Sequence, residues 1–285
     1  MNKIIACIDG SPYADSVCHL SAWAQKNLSQ PLTLLHVVAP HSEISAKGDI
    51  SGQIGLGAKG HLLSELSKID AEHGKLEQRK GQLMLQHAKE ELSKYNVEAA
   101  DVLHRRGTLV QTIQDLESEA DIIIMGKRGE HHYQDPDHLG SNLERVARAI
   151  HKPLLVASRN IHTIKKFLLA YDGSPSTDKA IDYIISSGLF NKLECHMIHV
   201  GKPSKEQQEK FNDSAVKLTT AKFTVHQNII EKQSIEKTII GYIDEHQINL
   251  LVMGAYGHSK IRNFILGSTT TTLLRKSHIP LMLFH

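Results

Sequence analysis

The chain is written twice, and that duplication limits its fold more than any other feature. "ACIDGSP" (Ala6–Pro12) returns as "LAYDGSP" (Leu169–Pro175), 163 residues on, and "LLHVV" (Leu34–Val38) returns as "MIHVG" (Met197–Gly201) at the same offset. "IIIMGKRG" (Ile122–Gly129) then matches "LLVMGAYG" (Leu250–Gly257) at an offset of 128. "GSNLERVARAIHKPLLVA" (Gly140–Ala157) matches "GSTTTTLLRKSHIPLMLF" (Gly267–Phe284). Landmarks repeated in one order indicate a tandem duplication. The fall in offset gives the first half 35 extra residues, largely within Ala39–Asn96.

Each half alternates strand and helix signals. In the first, Lys3–Asp9, Leu32–Val38, Glu98–Leu103, Asp121–Met125 and Pro153–Ala157 read as strands. In the second, the strands are Lys166–Asp172, Glu194–Val200, Phe223–Ile229, Leu250–Met253 and Pro280–Phe284. Tyr13, Val17, Leu20 and Ala24 mark one face of a helix, and further helices are expected near Leu109–Glu119 and Ser141–Ile150. Continuous apolar runs point to strands covered on both faces. The expected fold is α/β, two tandem doubly wound five-stranded parallel-sheet domains. The bounds read as 1–158, with an insertion at about 39–96, and 159–285, joined near Ser158–Thr163. The insertion opens with a glycine-rich piece, Lys47–Gly60, and continues as a helix with Leu85, Ala88, Leu92 and Tyr95 on one side. It suits a lid or a docking segment, and the sequence does not choose between them.

Bulk properties narrow the function. The 285 residues suffice for two domains, and a formal net charge of +2 argues against a nucleic-acid partner. No apolar run is long enough to span a bilayer, and only Ile4, Ile5 and Ala6 precede Cys7, too few for a signal peptide. Cys7, Cys18 and Cys195 lack metal-ligand spacing, and a cytoplasmic location is expected.

The chemistry concentrates in "LVMGAYGHSKIRNFILGSTTTTLL" (Leu251–Leu274). Two glycines, Gly254 and Gly257, follow a buried strand, where ligands of open α/β sheets bind. Glycine there allows positive φ and close approach of a ligand to the backbone. Gly267 and Ser268 then open a helix, whose free N–H groups and dipole suit a phosphate, with Ser268 and Thr269 as hydroxyl donors or caps. The other reading is that the glycines only turn the chain and Ser268 only caps.

These residues carry a resemblance to the universal stress protein family, in its nucleotide-binding branch, through Gly-x2-Gly-x9-Gly-Ser/Thr. The "DGSP" after strand one, the "HV" ending strand two and the closing "HIPLMLF" resemble it too, so that the likeness covers almost the whole chain in two copies. It implies that Asp172 meets the ribose or a phosphate-bound metal and that Val200 contacts adenine. Gly254 and Gly257 would line the ribose and phosphate path; Gly267, Ser268 and Thr269 would hold the phosphates. The first-half counterparts are Asp9, Val37, Gly126, Gly129, Gly140, Ser141 and Asn142. Their loop is one residue longer and brings in Glu130, Asp135 and Asp137, like charges for a phosphate. The second half is therefore expected to be the better site. The implied ligand is ATP, ADP or AMP, with Mg²⁺ as a companion, in a stress-response protein that regulates rather than catalyses. Two like domains in one chain suit intramolecular pairing that copies a homodimer; a homodimer of whole chains is a further expectation, and the protein partners are unidentified.

Other signals are weaker. "GLGAKG" (Gly55–Gly60) fits a dinucleotide fingerprint but follows no strand, and reads as a loop. His131, His132 and His138 lack zinc-site spacing and read as a solvated loop, so no metal ligand is assigned. His36 and His199 read as satisfied core histidines, Asp9 and Asp172 as either ligands or turn residues, and Lys202–Lys210 as a solvated helix face. "DGSPYADS" (Asp9–Ser16) resembles the strand-one loop of ATP-pyrophosphatase-like enzymes, leaving an ATP-hydrolysing or adenylating enzyme as one alternative. A dimerising interaction protein that binds no nucleotide is another.

Overall fold

The computed structural model describes residues 2–39, 56–97, 100–130, 140–160, 162–232, 234–255 and 266–285. In the first half the order is β1 (Lys3–Cys7), α1 (Ala14–Leu28), β2 (Leu32–Val38), α2 (Leu56–Ser93) and β3 (Ala100–Arg106). It continues with α3 (Leu109–Leu116), β4 (Ala120–Gly126), α4 (Ser141–Ala149) and β5 (Leu154–Ala157). The second half follows the same plan: β6 (Lys166–Ala170), α5 (Pro175–Ser186), β7 (Glu194–Val200), α6 (Lys205–Thr220) and β8 (Val225–Ile230). It ends with α7 (Ile235–His246), β9 (Leu250–Gly254), α8 (Ser268–Lys276) and β10 (Leu281–Phe284).

The doubly wound α/β expectation is met, with one addition. The two sets of five parallel strands form a single ten-stranded sheet, ordered β3-β2-β1-β4-β5-β10-β9-β6-β7-β8. Its seam is the antiparallel pair β5–β10, with Leu281 opposite Val156 and Leu283 opposite Leu154. An unpaired apolar edge would be costly in water, and each half covers the other's. Period-2 alternation then sends Leu155, Ala157, Met282 and Phe284 into the core on one face and Leu154, Val156, Leu281 and Leu283 into the core on the other. Both cores run through the seam without a break.

Helices form where the pattern predicts. Tyr13, Val17, Leu20 and Ala24 are all buried under α1. Ser174 caps α5 by accepting from Thr177 N, with Pro175 at the first helical position. Ser204 and Gln207 form a capping box at α6, whose first turn is solvated as expected.

Five expectations need correction. The strands predicted to reach Asp9 and Asp172 stop at Cys7 and Ala170, because each Asp carboxylate accepts from the N–H two residues on (Ser11 and Ser174) and turns the chain. β8 starts at Val225, since Phe223 N donates to Leu218 O and belongs to the end of α6. β3 runs on to Arg106, paired with Val38 at the end of β2. In the insertion, Leu56–Gly60 open α2 instead of looping; a glycine costs a helix only about 1 kcal/mol. Leu85, Ala88 and Leu92 are buried on α2 as predicted, but Tyr95 lies past the helix end and is exposed.

The insertion lengthens one crossover helix. α2 has 38 residues where its counterpart α6 has 16. Its last turns pack on α1 and β2 as an ordinary layer helix. Earlier turns reach the carboxyl edge of the first-half strands, where His73, Glu77 and Lys80 line a cavity with Asp9 and Val37.

Candidate nucleotide-binding site

In each half the strand order reverses between the first and fourth strands, which opens a crevice at the carboxyl edge. In the second half Asp172 follows β6, Val200 ends β7, Gly254 ends β9, and Gly267, Ser268 and Thr269 lead into α8. All six line one cleft of about 310 Å³, the lower end of small-molecule sites. Gly257 lies outside the described residues. The sequence reading missed the apolar wall, Ile235 and Ile239, one turn apart on α7 and facing the cleft with Val200. Their i, i+4 spacing at a helix start was the available signal.

Gly267 is the N-cap residue of α8 and has no side chain with which to satisfy the first helical N–H groups. The proposed cap by Ser268 is not seen, since Ser268 is already the first helical residue. The Thr269 hydroxyl donates to Glu236 at 3.0 Å, and the Thr270 hydroxyl to Ala255 O at 3.2 Å. Asp172 accepts from Ser174 N at 2.9 Å and from the Thr177 hydroxyl at 3.1 Å, so it is a turn residue whose carboxylate also borders the cleft.

His199 Nδ1 lies 3.1 Å from Tyr171 O, and His36 Nδ1 lies 2.7 Å from Ile8 O, the same contact in both copies. Each ring ties the end of strand two to the start of the Asp turn. They are satisfied histidines, as the sequence suggested, and both border the clefts.

The glycines do less for a ligand than expected. None of Gly126, Gly129, Gly140 or Gly254 has positive φ. A Cβ on Gly254 would come within 3.0 Å of Ser176 Cβ, and one on Gly126 within 2.8 Å of Tyr13 Cβ. A Cβ on Gly140 would meet the Arg128 backbone at 3.2 Å. These glycines let strand end, turn and helix pack together. Gly129 alone among them would direct its Cβ toward a site group, Asp9 Oδ2, at 3.4 Å.

The first-half site is divided. Asp9, Val37, Gly126, Gly129, Gly140 and Asn142 line an inner cavity of about 80 Å³. An outer one of about 480 Å³ adds Ser141, Glu130 and the α2 residues His73, Glu77 and Lys80. Lys80 pairs with Glu130, whose carboxyl group lies over Gly10. Burial, and then the charge of Glu130, raise the Asp9 carboxyl above its ordinary pKa. Among the described residues, the first-half cleft differs in the side chains of α2 and in Glu130, which line its outer cavity. Asp135, Asp137, His131, His132 and His138 lie outside the described residues.

The family model described as "Universal stress protein family" matches residues 1–158 and 199–285. The chain belongs to the universal stress protein family. It is similar to the universal stress protein Slr1230 of Synechocystis sp. (strain ATCC 27184 / PCC 6803 / Kazusa), at 36% identity over 100% of both chains. Among solved structures it resembles a universal stress protein of Archaeoglobus fulgidus DSM 4304, with a TM-score of 0.70 and 20% identity over 99% of this chain and 98% of that one. A functionally unknown protein of Pseudomonas aeruginosa PAO1 follows at a TM-score of 0.57 and 13% identity, over 100% and 92%. At those identities the two structures speak for the fold alone. Among the described residues no helix is long and apolar enough to cross a membrane.

Proposed function

We propose that this universal stress protein binds one adenine nucleotide, ATP or its ADP or AMP relatives, in the second-half cleft. The observation that carries the reading is the convergence of Asp172, Val200, Gly254, Gly267, Ser268 and Thr269 on one cleft beside the α8 N-terminus. Val200, Ile235 and Ile239 offer an apolar wall for the base, and the first N–H groups of α8 offer donors for phosphate. Glu236, held by Thr269, disfavours a bare polyanion and so favours nucleotide carried with Mg²⁺.

Occupancy, not turnover, is the function in this reading: a stress regulator in the cytoplasm whose nucleotide alters the surface offered to partner proteins. The first half contributes architecture, because Lys80, Glu77 and Glu130 stand where phosphates would pass. Calorimetric titration of nucleotide-stripped protein with ATP and Mg²⁺ tests this. One site per chain is expected, lost in Gly267→Val and in Ser268→Glu, which places a carboxylate at an exposed helix start that tolerates one. No binding, or affinity unchanged in both variants, would overturn it. Steady release of phosphate or pyrophosphate would replace the binding role with an enzymatic one.

A further inference from the structure

At the opposite, amino edge of the second half's strands lies a cluster that the nucleotide reading does not use. Glu194 and His196 sit two apart on β7, and therefore on one face, and the parallel register places His226 of β8 directly beside His196. Glu194 Oε1 lies 3.1 Å from His196 Nε2 and 3.1 Å from His226 Nε2, and the three atoms all fall within 4.8 Å of one another. The imidazoles stack with ring centroids 4.8 Å apart.

We propose that Glu194, His196 and His226 form a binding site for a divalent transition metal of the zinc class. Two imidazole nitrogens and one carboxylate oxygen are a known three-ligand set for zinc. With bonds of about 2.0–2.2 Å, tetrahedral ligands stand roughly 3.3 Å apart, close to the two measured separations. The site is also supported from behind. His196 is buried, and its Nδ1 lies 3.0 Å from the Tyr242 hydroxyl, so metal on Nε2 leaves Nδ1–H to donate to the tyrosine oxygen. That contact is the kind that orients a metal-bound histidine. Tyr242 in turn packs on His246, whose ring lies 5.2 Å from that of His196. Half of the His226 side chain faces solvent, leaving an open position for water as fourth ligand.

Among the described residues, Lys166 competes for the carboxylate, with Nζ 3.7 Å from Glu194 Oε1. Its side chain is about one-third exposed and can swing to water when a cation replaces it. A second cluster, Asp15, His87 and Glu91, offers one imidazole only and lies on an open surface, so it does not compare. A metal at Glu194, His196 and His226 would clamp β8, an edge strand of the sheet, to its neighbour β7.

The test is titration of the chelator-treated full chain with Zn²⁺ alone, followed by Co²⁺ substitution read through its visible d–d absorption. One zinc per chain at this cluster is expected, with tetrahedral cobalt bands. His226→Ala, at a half-exposed position that should leave the fold unchanged by circular dichroism, and Glu194→Gln should each weaken binding at least about tenfold and erase the bands. No zinc binding, or cobalt bands and affinity unchanged in both variants, would overturn the site. Because the titration contains no nucleotide, its result is independent of the cleft at the other edge.

Discussion

Lys127 Nζ lies 2.7 Å from the carbonyl oxygen of Ser277, the C-cap residue of α8, so a buried amine of the first half closes a helix of the second. A cation is favoured at that end of a helix dipole. Burial nevertheless dominates, and with a smaller push from Arg128 it lowers the Lys127 pKa from 10.5 to about 8. In the unfolded chain the ordinary value returns. Between pH 8 and 10.5 this amine holds more protons in the unfolded state than in the folded one, so its contribution to stability should rise with pH across that window. The rise is worth at most about 3 kcal/mol. The buried thiols of Cys7, Cys18 and Cys195 act in the opposite sense above pH 9, in wild type and variant alike. Denaturant unfolding at pH 7 and pH 10 should therefore show the rise as the difference in pH slope between the wild type and Lys127→Met. The same pH slope in both proteins would mean that the amine is not desolvated.

The seam makes a second prediction. Leu155 is fully buried in β5 and belongs to the core shared with Met282 and Phe284 across the antiparallel pair. Leu155→Ala should cost about 2–5 kcal/mol, as other large-to-small core changes do. Because the core is continuous, the loss should appear in a single unfolding transition. Two separated transitions, only one of them shifted, would show that the halves are energetically independent despite the common sheet.

Thiol chemistry gives a third. Cys7, Cys18 and Cys195 are free and buried, and burial raises all three thiols, Cys7 and Cys18 to about 12. The thiolate is the reactive form, so a disulfide reagent at pH 8 should find almost no reactive cysteine in the folded chain and three after denaturation. Rapid labelling of native protein would place at least one of them in a more open environment.

Much of this arrangement was legible because it is local or repeated. "DGSP" sets the Asp turn through contacts two residues long, and it does so at both Asp9 and Asp172. The face of α1 was readable for the same reason. The seam was not, since "PLLVA" and "PLMLF" look like any strands buried on both sides and carry no mark of antiparallel pairing. Nor was the contact of α2 with the first cleft: Lys80 and Glu130 meet across 50 residues, and each alone resembles an ordinary surface charge. The metal cluster escaped likewise, because strand register, not sequence spacing, puts His226 beside His196. Gly126 and Gly254 were found for a reason that the packing revises.

That revision can be tested at Gly254. If it serves packing, Gly254→Ala must push its new Cβ against Ser176 Cβ, which stands at 3.0 Å and is held by the start of α5. Overpacking of this kind costs about 1–3 kcal/mol. The loss should be present without nucleotide, and Ser176→Gly, which removes the opposing Cβ, should relieve most of it. A double-mutant cycle measures that coupling as the difference between the double variant and the sum of the singles. Strong coupling in stability, with ATP affinity recovering in the double variant, would make Gly254 a residue that shapes the cleft indirectly. Unchanged stability in Gly254→Ala with lost ATP binding would restore the direct role, in which the missing side chain leaves room for the ligand itself.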